Sequence, residues 1–284
     1  MNKSKTAILM DSGCDLSDEL IERYGIKVLR LKVMYRDKMY SDGVDIDPLE
    51  VYSRCPEERP KTSTPNMQEV MDIVDEIKAE GYENIIAIAI SSELSGTYNV
   101  MAMTLNGIED MRTYAYDTRN ISIGSGLYAL WAAKQLDEGK SFDEVTEGLE
   151  RKIHDSKVFF YMDTLDYLRK GGRINPAVAV VGKVLGIKPV ISCNDRGVYY
   201  TVAKIRGAKK GIGKLMEVAM EFAGDRKSMI GLMNGDAPET AAQIRPLIKE
   251  QAPNGEIVVD KQITATMAVH TGPGLIGIGI LYTD

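Results

Sequence analysis

The sequence predicts an α/β protein of two domains, an N-terminal one of βα units on a parallel sheet and a second on a mixed sheet backed by helices. Three observations carry this. Short aliphatic runs alternate with longer amphipathic ones through the first half of the chain, the pattern of βα units. Near residues 155–160 that regularity gives way to extended runs and a hairpin signal. The length of 284 residues, 44% hydrophobic and 27% charged, suffices for two modest soluble cores. The division is placed to give domains 1–157 and 158–284.

"TAILM" reads as the first buried strand, and "LSDELIERYG" as a helix stopped at Gly25. "IKVLRLKVMY" looks extended. In "NMQEVMDIVDEIKAEG", Val70, Ile73, Val74 and Ile77 fall at helical spacing, with Pro65 and Asn66 where the helix would start and Gly81 where it would stop. "NIIAIAI" is a fully buried strand. It leads to a helix from about Ser95, the strand "TYAYD", and helices around "SGLYALWAAKQLDEG" and "SFDEVTEGLERKIHD". In the second half, "KVFFYM" and "DTLDYLRKGGRI" precede "KPVISC" and "GVYYTVAKI", a hairpin about Asn194 to Arg196. A Lys-rich helix (207–223), the strand "SMIGLMNGD" and the helix "ETAAQIRPLIKEQA" follow. "QITATMAVHTGPGLIGIGILYT" (262–283) is long enough to raise the question of a membrane span, but its threonines, His270, Pro273 and glycines make it a poor one. It reads as strand, turn and strand.

A net charge of −6 argues against a nucleic-acid partner, since phosphate binding draws on clustered Lys and Arg. Cys14, Cys55 and Cys193 are odd in number and lack CxxC spacing, so neither a disulfide framework nor a zinc site is expected, and no metal is assigned. The first apolar stretch is cut at Asp11, too early for a signal-peptide core, and the cytoplasm is the expected compartment. "GPGLIG" satisfies GxGxxG, but the chain ends seven residues later, with no room for a βαβ unit. "EGKSF" lacks the upstream glycine of a P-loop.

Two hydroxyl-rich loops stand out. "RPKTSTPN" sets Thr62, Ser63 and Thr64 ahead of a helix, where unpaired N–H groups favour an anion, unless Ser63 or Thr64 merely caps that helix. "SSELSGTYN" repeats the arrangement with Ser95 and Thr97 flanking Gly96. Loops following successive elements of one sheet would lie together at its C-terminal edge and bind a small anionic head through neutral donors. The chain has two histidines: His154 reads as a surface residue, and His270, after the strand-like "TATMAV", either reaches a ligand or is a core histidine. "DSGCDLSDE" is explained by helix capping through Asp15 or Ser17. Arg169 and Arg173 in "LRKGGRI" are structural or ligand-facing. Lys204, Arg206, Lys209 and Lys210 form a basic cluster suited to a solvated helix start or an acidic protein partner.

"DSGCDL", "KTSTPN", "SSELSGTYN", "YLRKGGRI", "KIRGAKK" and "VHTGPG", in this order, resemble the signatures of the DegV family of bacterial fatty-acid-binding proteins, and the resemblance covers essentially the whole chain. It implies a larger N-terminal α/β/α domain with a parallel sheet, a second α/β domain with a mixed sheet, and one long-chain fatty acid, such as palmitate, stearate or oleate, held between them, with no cofactor and no catalytic step. It implies that Thr62 and Ser95 hydrogen-bond the carboxylate, with Ser63, Gly96 and Thr97 adjoining and His270 nearby. It further implies that Arg206 faces a fatty acid kinase, the separate subunit that phosphorylates the presented carboxylate to an acyl phosphate. The chain departs from the family's usual residues at Gly13-Cys14 and at Asn66, which bear on the pocket floor and the first helix entry. Two other readings are an esterase or acyltransferase using Ser95 with His270, and a kinase of small hydroxylated substrates.

Overall fold

A computed structural model describes residues 2–55, 57–174, 187–206 and 208–284. Strands β1 (Thr6–Asp11), β2 (Lys27–Leu29), β6 (Asn84–Ala89) and β7 (Arg112–Asp117) form a parallel sheet in the order β2-β1-β6-β7. β1 and β6 are buried along their whole length, as unbroken aliphatic runs require when both faces are covered. Helix α1 (Asp18–Tyr24) stops at Gly25, whose φ of 60° is the left-handed conformation that glycine adopts without strain. Helix α3 (Met67–Ala79) buries Val70, Val74 and Ile77, while α4 (Thr97–Asn106) buries Met101 and Leu105; both faces join one core with Leu9 and Ile85.

The second sheet has six strands in the order β10-β9-β8-β13-β11-β12: β8 (Ser156–Tyr161), β9 (Ile187–Cys193), β10 (Tyr199–Arg206), β11 (Ser228–Gly235), β12 (Gly255–Gln262) and β13 (Leu275–Tyr282). It is mixed, because β11 pairs parallel with β12 and the other ladders are antiparallel. Helices α8 (Ala208–Ala223) and α9 (Pro238–Gln251) cover one face through Leu215, Ala219, Ile244 and Ile248. Gly207, expected to open the Lys-rich helix, and the Lys209 side chain lie outside the described residues.

Helix α5 (Ile123–Asp137) joins the two lobes. It packs on β1 of the first sheet and on β8, β11 and β13 of the second, and is buried on nearly every side. Such all-round burial explains why its sequence lacks a polar stripe. Gly126 lies against the carbonyl oxygen of Cys14, closer than any Cβ would permit. On its other side α6 (Phe142–Arg151) begins with a capping box between Ser141 and Glu144.

Three expectations are corrected. A third, three-stranded antiparallel sheet is formed by β3 (Lys32–Met34), β4 (Met39–Ser41) and β5 (Lys61–Ser63), so "KTS" is a strand outside the parallel sheet. Helix α2 (Pro48–Arg54) follows β4, with Asp47 accepting from Glu50 N at 2.8 Å. Helix α3 is capped by Asn66 in a box with Glu69, not by Ser63 or Thr64, and Ser17 begins α1 without a side-chain bond. Finally, in residues 262–283 the expected turn and closing strand are present, but α10 (Ala265–Thr271) stands where the first strand was expected. Its first turn has no local cap. Instead Asp15 accepts from Thr264 N at 2.8 Å, and Asp42 accepts from Thr266 N at 3.1 Å and from the Thr266 hydroxyl. These buried carboxylates supply from far along the chain what a cap residue normally supplies locally. Asp15 therefore serves α10 rather than α1.

Candidate functional site

The two hydroxyl loops meet although they belong to different sheets. Thr62 lies on β5, paired with Val33, and Ser95 in the turn between β6 and α4. A Cβ on Gly96 would stand 3.4 Å from Thr64 Cγ2, so the loops abut. Ser95 Oγ lies 2.8 Å from Thr97 Oγ1 and accepts from Thr97 N at 3.3 Å. Thr97 is 0% exposed, which makes it a support for Ser95.

His270 sits near the end of α10 and closes the third side. Its Nε2 is 2.8 Å from Thr62 Oγ1, whereas its Nδ1 is enclosed without a partner beside Gly171, where a Cβ would collide with the ring. Helix α7 (Asp166–Lys170) ends at that Gly171, and Gly172 turns the chain at φ 71°. The turn delivers Arg173, whose Nη1 donates to Gly171 O at 2.8 Å and whose Nε donates to Leu94 O at 3.4 Å. Thr62, Ser63, Ser95, Arg173 and His270 line one cavity of about 50 Å³. A guanidinium thus joins the neutral donors expected from the sequence.

Burial, with the Arg173 charge adding to it, pushes the His270 imidazole down to about 3. Although part of the residue is accessible, its enclosed Nδ1 shows that the ring is in poorly solvated surroundings. The sign follows from linkage. Below pH 6.5 the unfolded chain gains a proton at this histidine that the folded chain refuses, so folding loses stability as pH falls. Asp11 and Asp15, raised by burial to about 7 and about 6, act oppositely, since the folded chain binds their protons first. Comparison with His270→Gln isolates the histidine: between pH 7 and pH 5 the native protein should lose about 2 kcal/mol more unfolding free energy than the variant in urea titrations. Equal losses would contradict a buried neutral imidazole.

Beyond this cavity lies an apolar one of about 30 Å³, floored by Val158, Phe160, Met233 and Gly277. A larger cleft of about 430 Å³ at the start of α10 carries Asp18, Arg30, Asp45, Asp47, Glu50 and Lys261, whose charges are unsuited to hydrocarbon. Among the described residues no His, Cys, Asp and Glu cluster could hold a metal, and no helix is long and apolar enough to cross a membrane. Ser95 is bonded to Thr97 and His270 to Thr62, so the nucleophile and base of an acyl-enzyme route are each engaged elsewhere. Arg206 is exposed at the end of β10, opposite Ile187 and outside both cavity linings. His154 is exposed in the turn after α6. Arg173 was visible in the sequence but undecided, and Tyr199 and Met267, which line both cavities, carried no signal beyond ordinary apolar residues.

Parallel and mixed sheets joined by a shared helix, with a polar cavity beside an apolar one, define a two-domain α/β protein. The chain belongs to the DegV family: the family model described as "Uncharacterised protein, DegV family" matches residues 5–283. A DegV domain-containing protein of Clostridium acetobutylicum is 38% identical over 276 residues, covering 97% of this chain and 98% of that relative. Among solved structures, a fatty-acid-binding DegV family protein from Thermus thermophilus has a TM-score of 0.91 at 28% identity, with 100% of each chain covered. DegV of Bacillus subtilis, described as a fatty acid binding protein, has a TM-score of 0.89 at 27% identity, again over 100% of each chain. A stearic-acid-binding protein from Eubacterium ventriosum has a TM-score of 0.87 at 26% identity, covering 98% of each chain.

Proposed function

We propose that this protein binds one long-chain fatty acid between its lobes, 1–157 and 158–284, and presents the carboxylate to a separate kinase. The observation that carries the reading is the joining of Thr62 to His270 at the mouth of a polar cavity backed by an apolar one. Thr62 and Ser95 offer hydroxyl donors to a carboxylate, Ser63, Gly96 and Thr97 complete the loops, and Arg173 adds a charge-assisted donor. His270, kept neutral, orients the Thr62 hydroxyl. Relatives described as fatty-acid-binding support the same ligand class.

Affinity then comes chiefly from the tail. At about 0.8 kcal/mol per buried methylene, a palmitate tail gains on the order of 11 kcal/mol before ordering costs. The two cavities, about 50 and 30 Å³, are too small for that tail as they stand, so binding must move apolar side chains apart. No catalytic residue, cofactor or metal is assigned, and the protein acts in the cytoplasm. Arg206 would meet the kinase, which takes phosphate from ATP.

Solvent extraction of the purified protein followed by mass spectrometry should yield one fatty acid per chain. Absence of lipid, together with no uptake of palmitate or oleate, overturns the reading. Given a fatty acid kinase and ATP, the loaded protein should yield acyl phosphate; Arg206→Ala should lose that product while keeping its lipid.

A further inference from the structure

The polar and apolar cavities meet at four lining residues that they share, Ile121, Tyr199, Met267 and Thr271. A tail whose carboxylate lies by Thr62 must cross this wall to reach the floor at Phe160 and Gly277. Three of the four residues are held in place. Ile121 is buried and β-branched, hence stiff at χ1. The Tyr199 ring stands edge-on to Phe160, with centroids 5.4 Å apart. The Thr271 hydroxyl donates to the Met267 carbonyl at 2.9 Å.

Met267 differs because its side chain is unbranched and turns about three torsions. Its backbone is pinned on both sides. Thr266, immediately before it, is bonded to Asp42 through both its N–H and its hydroxyl, and His270, three residues on, is tied to Thr62. What can move at this wall is therefore the thioether side chain and not the helix.

We propose that Met267 is the gate of the tail path, a specificity-determining residue that admits straight alkyl chains and sets how much a long tail gains over a short one; this rests on the fatty-acid reading above. In the closed position its side chain divides the two cavities. When an unbranched tail threads the neck, the thioether turns aside and lies along the hydrocarbon, a contact that its soft sulfur makes readily.

The test is a series of saturated straight-chain acids from octanoate to stearate, titrated by calorimetry into native protein and Met267→Phe. On native protein each added methylene should tighten binding about fourfold over the series. Met267→Phe should still bind octanoate, but its affinity should stop rising with length, leaving stearate on the order of a millionfold weaker than on native protein, the fourfold step taken over ten methylenes. Should Met267→Phe fail to fold, Met267→Ile keeps nearly the same volume while stiffening χ1, and stopped-flow association of palmitate should then slow about tenfold. Folded variants that follow native protein at every length and in rate overturn the gate alone. If native protein binds no acid of any length, the fatty-acid reading falls and the gate falls with it.

Discussion

Arg173→Ala should weaken palmitate binding about a hundredfold, the largest loss expected from any single side chain of the proposed head-group cavity. Removing one partner of a buried charge pair costs about 3 to 5 kcal/mol; for a partly exposed arginine the low end applies, which is about a hundredfold in affinity. Arg173 is already held in position by the carbonyls of Leu94 and Gly171, so little ordering is needed when the carboxylate arrives. Arg173→Lys should recover only part of the affinity, because an ammonium keeps the charge but loses the planar fork that satisfies both carbonyls. Calorimetry with palmitate decides this. An Arg173→Ala protein that binds as tightly as native would show that the hydroxyls alone hold the head.

Gly126→Ala should destabilise the fold by about 3 kcal/mol, seen as a fall of several degrees in the thermal midpoint. A methyl group there would collide with the Cys14 carbonyl oxygen and would also meet Cys14 C at 3.2 Å and Ile123 Cδ1 at 3.3 Å. The Cys14 atoms are backbone in a tight turn, so relief requires α5 to move off the first sheet, and α5 packs against the second sheet as well. Gly213 of α8 is the control, since a Cβ there meets nothing within 4 Å. Gly213→Ala should raise stability by about 0.5 to 1 kcal/mol through helix propensity. An unchanged midpoint for Gly126→Ala would mean that the contact between α5 and the turn is slack.

The elements that were legible in the chain are those whose causes are local. α3 shows its buried face in Val70, Val74 and Ile77 and its start at Asn66. The β9–β10 hairpin turns where Asn194 accepts from the N–H groups of Arg196 and Val198. The misread helix α10 is the converse case. Its threonines and valine resemble a strand, and its caps are carboxylates 249 and 224 residues away in sequence. No window along the chain contains both the donor and the acceptor.

By itself the sequence determined the α/β class, the order of most strands and helices, the two hydroxyl loops and the family. These follow from side-chain periodicity, turn chemistry and motif order, each a property of neighbouring residues. Only the tertiary structure decided that Thr62 and His270, 208 residues apart, share a hydrogen bond, that Arg173 lines the same cavity, and that Met267 lines both that cavity and the apolar one. The physical reason is that burial, exclusion of water and the pairing of polar groups arise where distant segments pack, and packing is a relation among segments that no single stretch contains.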